Sequence, residues 1–94
     1  ISEPALDLGI MCTVASSFKN MPIAKDTVII GEVGLTGEIR RVSRIEQRVQ
    51  EAAKLGFQRA IIPRKNLGGW TIPEGIEVVG VSNLGEALRL TLGG

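Results

Sequence analysis

Apolar and polar residues change their spacing several times along the chain, and each change marks an element. Residues 5–18, ALDLGIMCTVASSF, are apolar on nearly every face with Asp7 the only charge, which predicts a helix buried on several sides. Ser2 is its expected cap, Pro4 falls in its first turn, Asp7 lies near its positive end, and Asn20 and Pro22 close it. Residues 27–31, TVIIG, are β-branched and short, as a strand is. Glu32-Val33-Gly34-Leu35 and Glu38-Ile39-Arg40-Arg41-Val42 then flank Thr36-Gly37 like the arms of a hairpin, with Gly34 and Gly37 expected to supply positive φ. Ser43-Arg44-Ile45-Glu46 has the spacing of a capping box. The helix it opens is predicted to reach Leu55, with Ile45, Val49, Ala52 and Leu55 on one face and Gly56 at the position after the cap. Residues 59–63 read as a buried strand, 66–70 as a loop, Pro73-Glu74-Gly75 as a turn and 76–81 as another strand. Ser82 is the expected cap of a last helix, 83–92, with Leu84, Leu88 and Leu92 in one stripe.

The resulting order is α, β, β-hairpin, α, β, β, α, and the strand–helix–strand spacing around residues 44–55 suits a crossover between parallel strands. With 94 residues, 44% of them apolar and 3% aromatic, the chain is expected to be one small α/β domain spanning 1–94. Such a chain buries roughly two-thirds of its unfolded surface, so its stability is modest. It begins with Ile1 rather than Met, and is expected to be a fragment of a longer protein. There is no signal peptide and no apolar run long enough to span a membrane, and the lone Cys12 has no internal partner. A cytoplasmic setting follows as the expectation, without a membrane partner.

Charge adds a second pattern. The net is only +1, but residues 38–65 carry eight basic side chains against three acidic ones, while the remainder carries a net of −4. Arg40, Arg41, Arg44, Arg48, Arg64 and Lys65 are the candidates for contact with a polyanion. Arg44 and Arg48 are spaced by one helical turn, whereas Arg40 and Arg41 alternate along a strand, so only one of them can share the helix face. Three readings stay open: a solvated face, contact with a DNA backbone, or a subunit interface. No aromatic residues interleave with the cations, so sequence-blind phosphate contact is the most the cluster supports. Trp70 suits a loop anchor on the core better than a base-stacking platform.

Other chemistry is thinly represented. There is no His, one Cys, and no phosphate-binding loop or nucleophile elbow, so neither a zinc site nor a nucleotide site is expected within this chain. Cys12 lies in the most apolar helix and reads as a small buried hydrophobe.

The run GEVGLTGEIRRVSRIEQRVQEAAKLGF, followed by IIPRKN at 61–66, resembles the C-terminal domain of the RadA (Sms) family of bacterial DNA repair proteins, which is itself similar to the proteolytic domain of Lon. The resemblance extends from Glu3 to about Leu92. It implies the Lon-type α/β fold, a relative of the second domain of ribosomal protein S5. In that family more strands precede the first helix, so the sheet of this chain is expected to be incomplete, with an open edge beside residues 27–31. Lon proteases use a Ser and a Lys. The corresponding positions here hold Ala5 and Glu46, so the resemblance implies a non-catalytic domain, with a Ser-Lys endopeptidase as the disfavoured alternative. It further implies a ring-forming, ATP-dependent DNA-binding motor of recombinational repair and branch migration. ATP, magnesium and zinc would belong to domains outside this chain. This domain would serve hexamer assembly and weak, sequence-independent DNA binding.

Overall fold

A computed structural model describes residues 5–92 of the chain. Its elements run β1 (Leu6–Asp7), α1 (Leu8–Lys19), β2 (Thr27–Ile29), β3 (Glu32–Val33), β4 (Ile39–Arg40), α2 (Ile45–Lys54), β5 (Arg59–Pro63), a 3-10 turn (Arg64–Asn66), β6 (Glu77–Val81) and α3 (Leu84–Thr91). The strands form two sheets. In one, β5 lies centrally and pairs in parallel with β2 and with β6; in the other, β3 lies between β1 and β4 and pairs antiparallel with both. Residues 82–84 join the sheets: the Ile39 N–H donates to the Ser82 carbonyl at 3.0 Å and the Leu84 N–H to the Gly37 carbonyl at 2.9 Å.

The alternation of side chains along β5 divides the core into two layers. Ala60 and Ile62 face a cluster with Ile45, Val49 and Ala52 of α2, whereas Ile61 faces Leu8 and Cys12 of α1 and Ala87 of α3. The parallel sheet is thus covered by α2 on one side and by α1 and α3 on the other, an α/β arrangement in three layers. The expected crossover between parallel strands is present, because β2 and β5 run parallel with α2 between them in sequence. β2 and β6 are the edge strands of this sheet.

Several local expectations fail for identifiable reasons. α1 begins at Leu8, because Leu6 and Asp7 extend to pair with Val33 and Glu32. Asp7 is its cap, its Oδ1 accepting the Ile10 N–H at 3.0 Å; Ser2 and Pro4 lie outside the described residues. Nor is α1 buried on several sides. Only Leu8 and Cys12 are buried, while Ile10, Val14 and Phe18 are exposed. The Ser43–Glu46 capping box does not form. Arg44 occupies the cap position of α2 with φ 59° and ψ 38°, and no side chain accepts from the first turn. The device appears instead at α3, where Asn83 rather than Ser82 is the cap. Asn83 Oδ1 accepts the Glu86 N–H at 2.9 Å, and Glu86 Oε1 reaches back to the Ser82 N–H at 2.7 Å. α3 buries Ala87 and Thr91 most deeply, with Leu84 and Leu88 half-buried beside them.

The other end of α2 follows the sequence. Gly56, at φ 95°, donates to the Ala53 carbonyl at 3.1 Å and Phe57 to the Ala52 carbonyl at 3.1 Å, a Schellman closure. Leu55, expected on the apolar face, is the cap and is 75% exposed. In the hairpin Gly37 has positive φ, but Gly34 does not. A Cβ at Gly34 would instead meet the Glu38 carboxylate, the far end of a side chain that would have to swing aside.

Candidate nucleic-acid interface

The expected cations are brought to different fates. Arg40 pairs with Glu38 (3.3 Å), and Arg64 with Glu86 (3.2 Å). Arg59, also in the basic segment, pairs with Glu77 (3.3 Å). Two of these carboxylates come from β6 and α3, far along the chain, so the excess of positive charge counted along residues 38–65 is smaller in space. The side chains of Arg44, Arg48 and Lys65 form no ion pair among the described residues and are exposed. Arg41, likewise exposed, donates from Nη2 to the Lys65 backbone carbonyl at 3.0 Å.

That contact brings Arg41 beside the 3-10 turn, and a buried side chain holds the two segments together. Asn66 Oδ1 accepts the Val42 N–H and Asn66 Nδ2 donates to the Val42 carbonyl, both at 2.9 Å. The amide thus replaces a rung of sheet between segments 24 residues apart. Trp70 locks the same turn from outside, donating from Nε1 to the Asn66 carbonyl at 2.6 Å while its ring packs against the cluster under α2. Trp70 is therefore the loop anchor that was expected and not an open platform.

Beyond the clamp the chain turns at Arg44 into α2, whose apolar residues Ile45, Val49 and Ala52 are buried and whose Arg48 is exposed. Arg41, Arg44, Arg48 and Lys65 therefore flank the clamped segments and the first turns of α2. The uncapped amides of that turn add partial positive charge, opposed there only by Glu46. Such a surface can neutralise phosphates, but offers no pattern of donors for reading bases. Arg40 and Arg64 differ from the other four candidates in having carboxylate partners. For Arg64 the signal was absent locally, since Glu86 acquires its role only when α3 folds back, whereas the partner of Arg40 stands two residues away.

The remaining candidates, Ala5, Glu46 and Cys12, lie on separate segments. Ala5 lies ahead of β1 and lines an apolar hollow of about 420 Å³ with Leu6, Met11, Val33, Leu35 and Leu84. Glu46 is exposed in the first turn of α2. Cys12 is fully buried, and burial pushes its thiol up from the ordinary value, which suppresses thiolate chemistry. Among the described residues no group of three or more His, Cys, Asp or Glu is placed to hold a metal ion, and no helix is long and apolar enough to cross a membrane.

Comparison with known proteins supplies the family. Residues 2–66 match the family described as subunit ChlI of Mg-chelatase. The chain is 66% identical over 93 residues to DNA repair protein RadA of Halalkalibacterium halodurans, with 99% of this chain aligned. It is 65% identical over 94 residues to RadA of Bacillus subtilis, with 100% aligned. It is 58% identical over 92 residues to RadA of Listeria monocytogenes, with 98% aligned. In each case the chain spans about a fifth of the relative, 20% of its length. The chain belongs to the family described as subunit ChlI of Mg-chelatase, and nearly all of it is homologous to one segment of DNA repair protein RadA.

Proposed function

We propose that this chain is a non-catalytic, Lon-like scaffold domain of a RadA-type recombinational repair protein, and that it adds a weak, sequence-blind DNA contact. The observation that carries the DNA contact is the set of four exposed cations, Arg41, Arg44, Arg48 and Lys65, which have no carboxylate partner among the described residues and stand beside a clamped turn. The absence of a protease function rests on Ala5 and Glu46: a methyl group cannot attack a carbonyl, and a carboxylate cannot replace an amine base. The Lon-like assignment is supported by parallel strands joined through a helix and by the open edge at β2. In this reading the longer protein is a cytoplasmic, ring-forming, ATP-dependent branch-migration motor. ATP, magnesium and zinc are handled outside this chain, and the domain assembles with further copies of itself.

Counterion release tests the DNA contact. Each neutralised phosphate contributes about −0.9 to the slope of log affinity against log salt, so four cations give a slope of about −3 to −4. Affinity belongs at the weak end of non-specific binding, ~10⁻⁴ M, and rises when linked copies act together. Replacing Arg44 and Arg48 with Ala should flatten the slope by about 2 and weaken binding on every sequence equally. Fluorescence anisotropy with labelled duplexes over a salt series reads both quantities. Unchanged affinity and slope in the double variant would assign these residues to a solvated or protein-facing surface.

A further inference from the structure

The four exposed cations are displayed from a braced framework. Asn66 clamps the strand end that follows Arg41 to the turn that holds Lys65, and Arg41 is tied to the Lys65 carbonyl at 3.0 Å. Arg44 and Arg48 stand one helical turn apart, about 6 Å along the axis of α2. Each aromatic ring of the chain is engaged or placed elsewhere. The sequence holds three, Phe18, Phe57 and Trp70, and neither Tyr nor His. Phe57 and Trp70 pack against the cluster under α2, and Trp70 is held further by its hydrogen bond to the Asn66 carbonyl. Phe18 belongs to α1, on the other side of the parallel sheet.

We infer that this surface selects double-stranded over single-stranded DNA. The inference rests on the proposed phosphate contact and names the form of nucleic acid that the contact takes. A duplex is the denser polyanion, with one charge per about 1.7 Å of axis against about 3.4 Å for one strand of it. Each neutralised phosphate therefore adds about −0.9 to the salt slope on a duplex and about −0.7 on a single strand. Four contacts give slopes of about −3.6 and about −2.8. Lines of those slopes that meet at about 1 M salt stand about tenfold apart at about 50 mM, in favour of the duplex. Stiffness acts in the same direction. A duplex stays straight over about 150 base pairs and presents its phosphates at fixed positions. A single strand has to be ordered along the cations, which costs conformational entropy. Proteins that hold single strands recover this cost by stacking bases on aromatic side chains, and one stacked base strengthens binding by roughly five- to 150-fold. One open ring beside these cations would thus cancel or reverse the preference, and the placement of Phe18, Phe57 and Trp70 withholds it. On a substrate that carries both forms, this surface takes the paired segment.

Fluorescence anisotropy tests the selection, with a labelled duplex and each of its unpaired strands titrated by the chain over a salt series. Emission from Trp70, the one tryptophan, reports base stacking in the same samples. The duplex should bind about tenfold more tightly near 50 mM salt, with the advantage shrinking as salt rises. Trp70 emission should not be quenched by single strands. Replacing Arg44 and Arg48 together with Ala should narrow the gap to about threefold, since two contacts remain. Single strands that bind as tightly as the duplex, or more tightly, and lose affinity in the double variant overturn the selection and leave the phosphate contact standing. Bases are then stacked by Trp70 if its emission is quenched, and by the arginine planes if it is not. No binding to either form, or binding that the double variant leaves unchanged in affinity and slope, overturns the phosphate contact and the selection together.

Discussion

Arg44 holds a backbone conformation that costs an L-residue about 1–2 kcal/mol, at φ 59° and ψ 38°, to turn the chain from the hairpin into α2. Arg44→Gly removes that strain, although the freer unfolded chain offsets part of the gain. A net stabilisation of about 0.5–1 kcal/mol is expected in chemical denaturation. Ser43→Ala, by contrast, should change stability by less than about 0.5 kcal/mol, like other exposed substitutions. A loss of about 1 kcal/mol would mean that Ser43 caps the helix after all. Glu38 shows the opposite economy, one exposed side chain meeting several local demands. The Thr36 hydroxyl, foremost, then backbone N–H groups and Arg40 hold its carboxyl at about 2 instead of 4.5. A depressed carboxyl stabilises the fold fully above its unfolded value, and the contribution disappears as pH falls through the folded one. Stability should therefore decline between pH 4.5 and about 2, and Glu38→Gln should make that limb shallower in acid titrations followed by circular dichroism.

At the level of elements, the clamp from Asn66 to Val42 replaces strand pairing where the sheet has none. The amide is buried and satisfies both backbone groups of Val42. Asn66→Ala would strand a buried donor and a buried acceptor, at about 1–3 kcal/mol for each unpaired group. A total loss of about 3 kcal/mol is expected by denaturant unfolding, a large share of the stability of so small a domain. Asn66→Asp keeps the acceptor but loses the donor, so it should fall between Ala and wild type only where its carboxyl is protonated. Gly56 illustrates an element end that needs no tertiary help: its positive φ lets two successive N–H groups close the helix on its own carbonyls.

For the whole molecule, the arrangement of layers assigns different work to different faces. α2 and the clamped turn carry positive charge without ion-pair partners among the described residues, whereas α1 carries exposed apolar side chains on the other side of the parallel sheet. Salt should weaken the proposed DNA contact of the α2 side strongly, since that contact releases counterions.

The sequence alone determined the features that depend on neighbours a few residues away. Period and β-branching located the three helices and the strands of the parallel sheet, Thr36-Gly37 fixed the hairpin turn, and Gly56 closed α2. The motif string pointed to the RadA segment that the comparisons then matched. Tertiary structure decided what depends on which segments meet. An apolar run says that α1 needs cover, but not that only Leu8 and Cys12 receive it here. Capping spacing allowed Ser43 to cap, but the angle at which α2 must leave the clamped strand put Arg44 in that place with a left-handed backbone. A run of cations was legible as charge, but its reach was set by Glu77 and Glu86, which neutralise Arg59 and Arg64 only after β6 and α3 fold against them. Local propensity acts through bonds along the chain, whereas burial and ion pairing act through space.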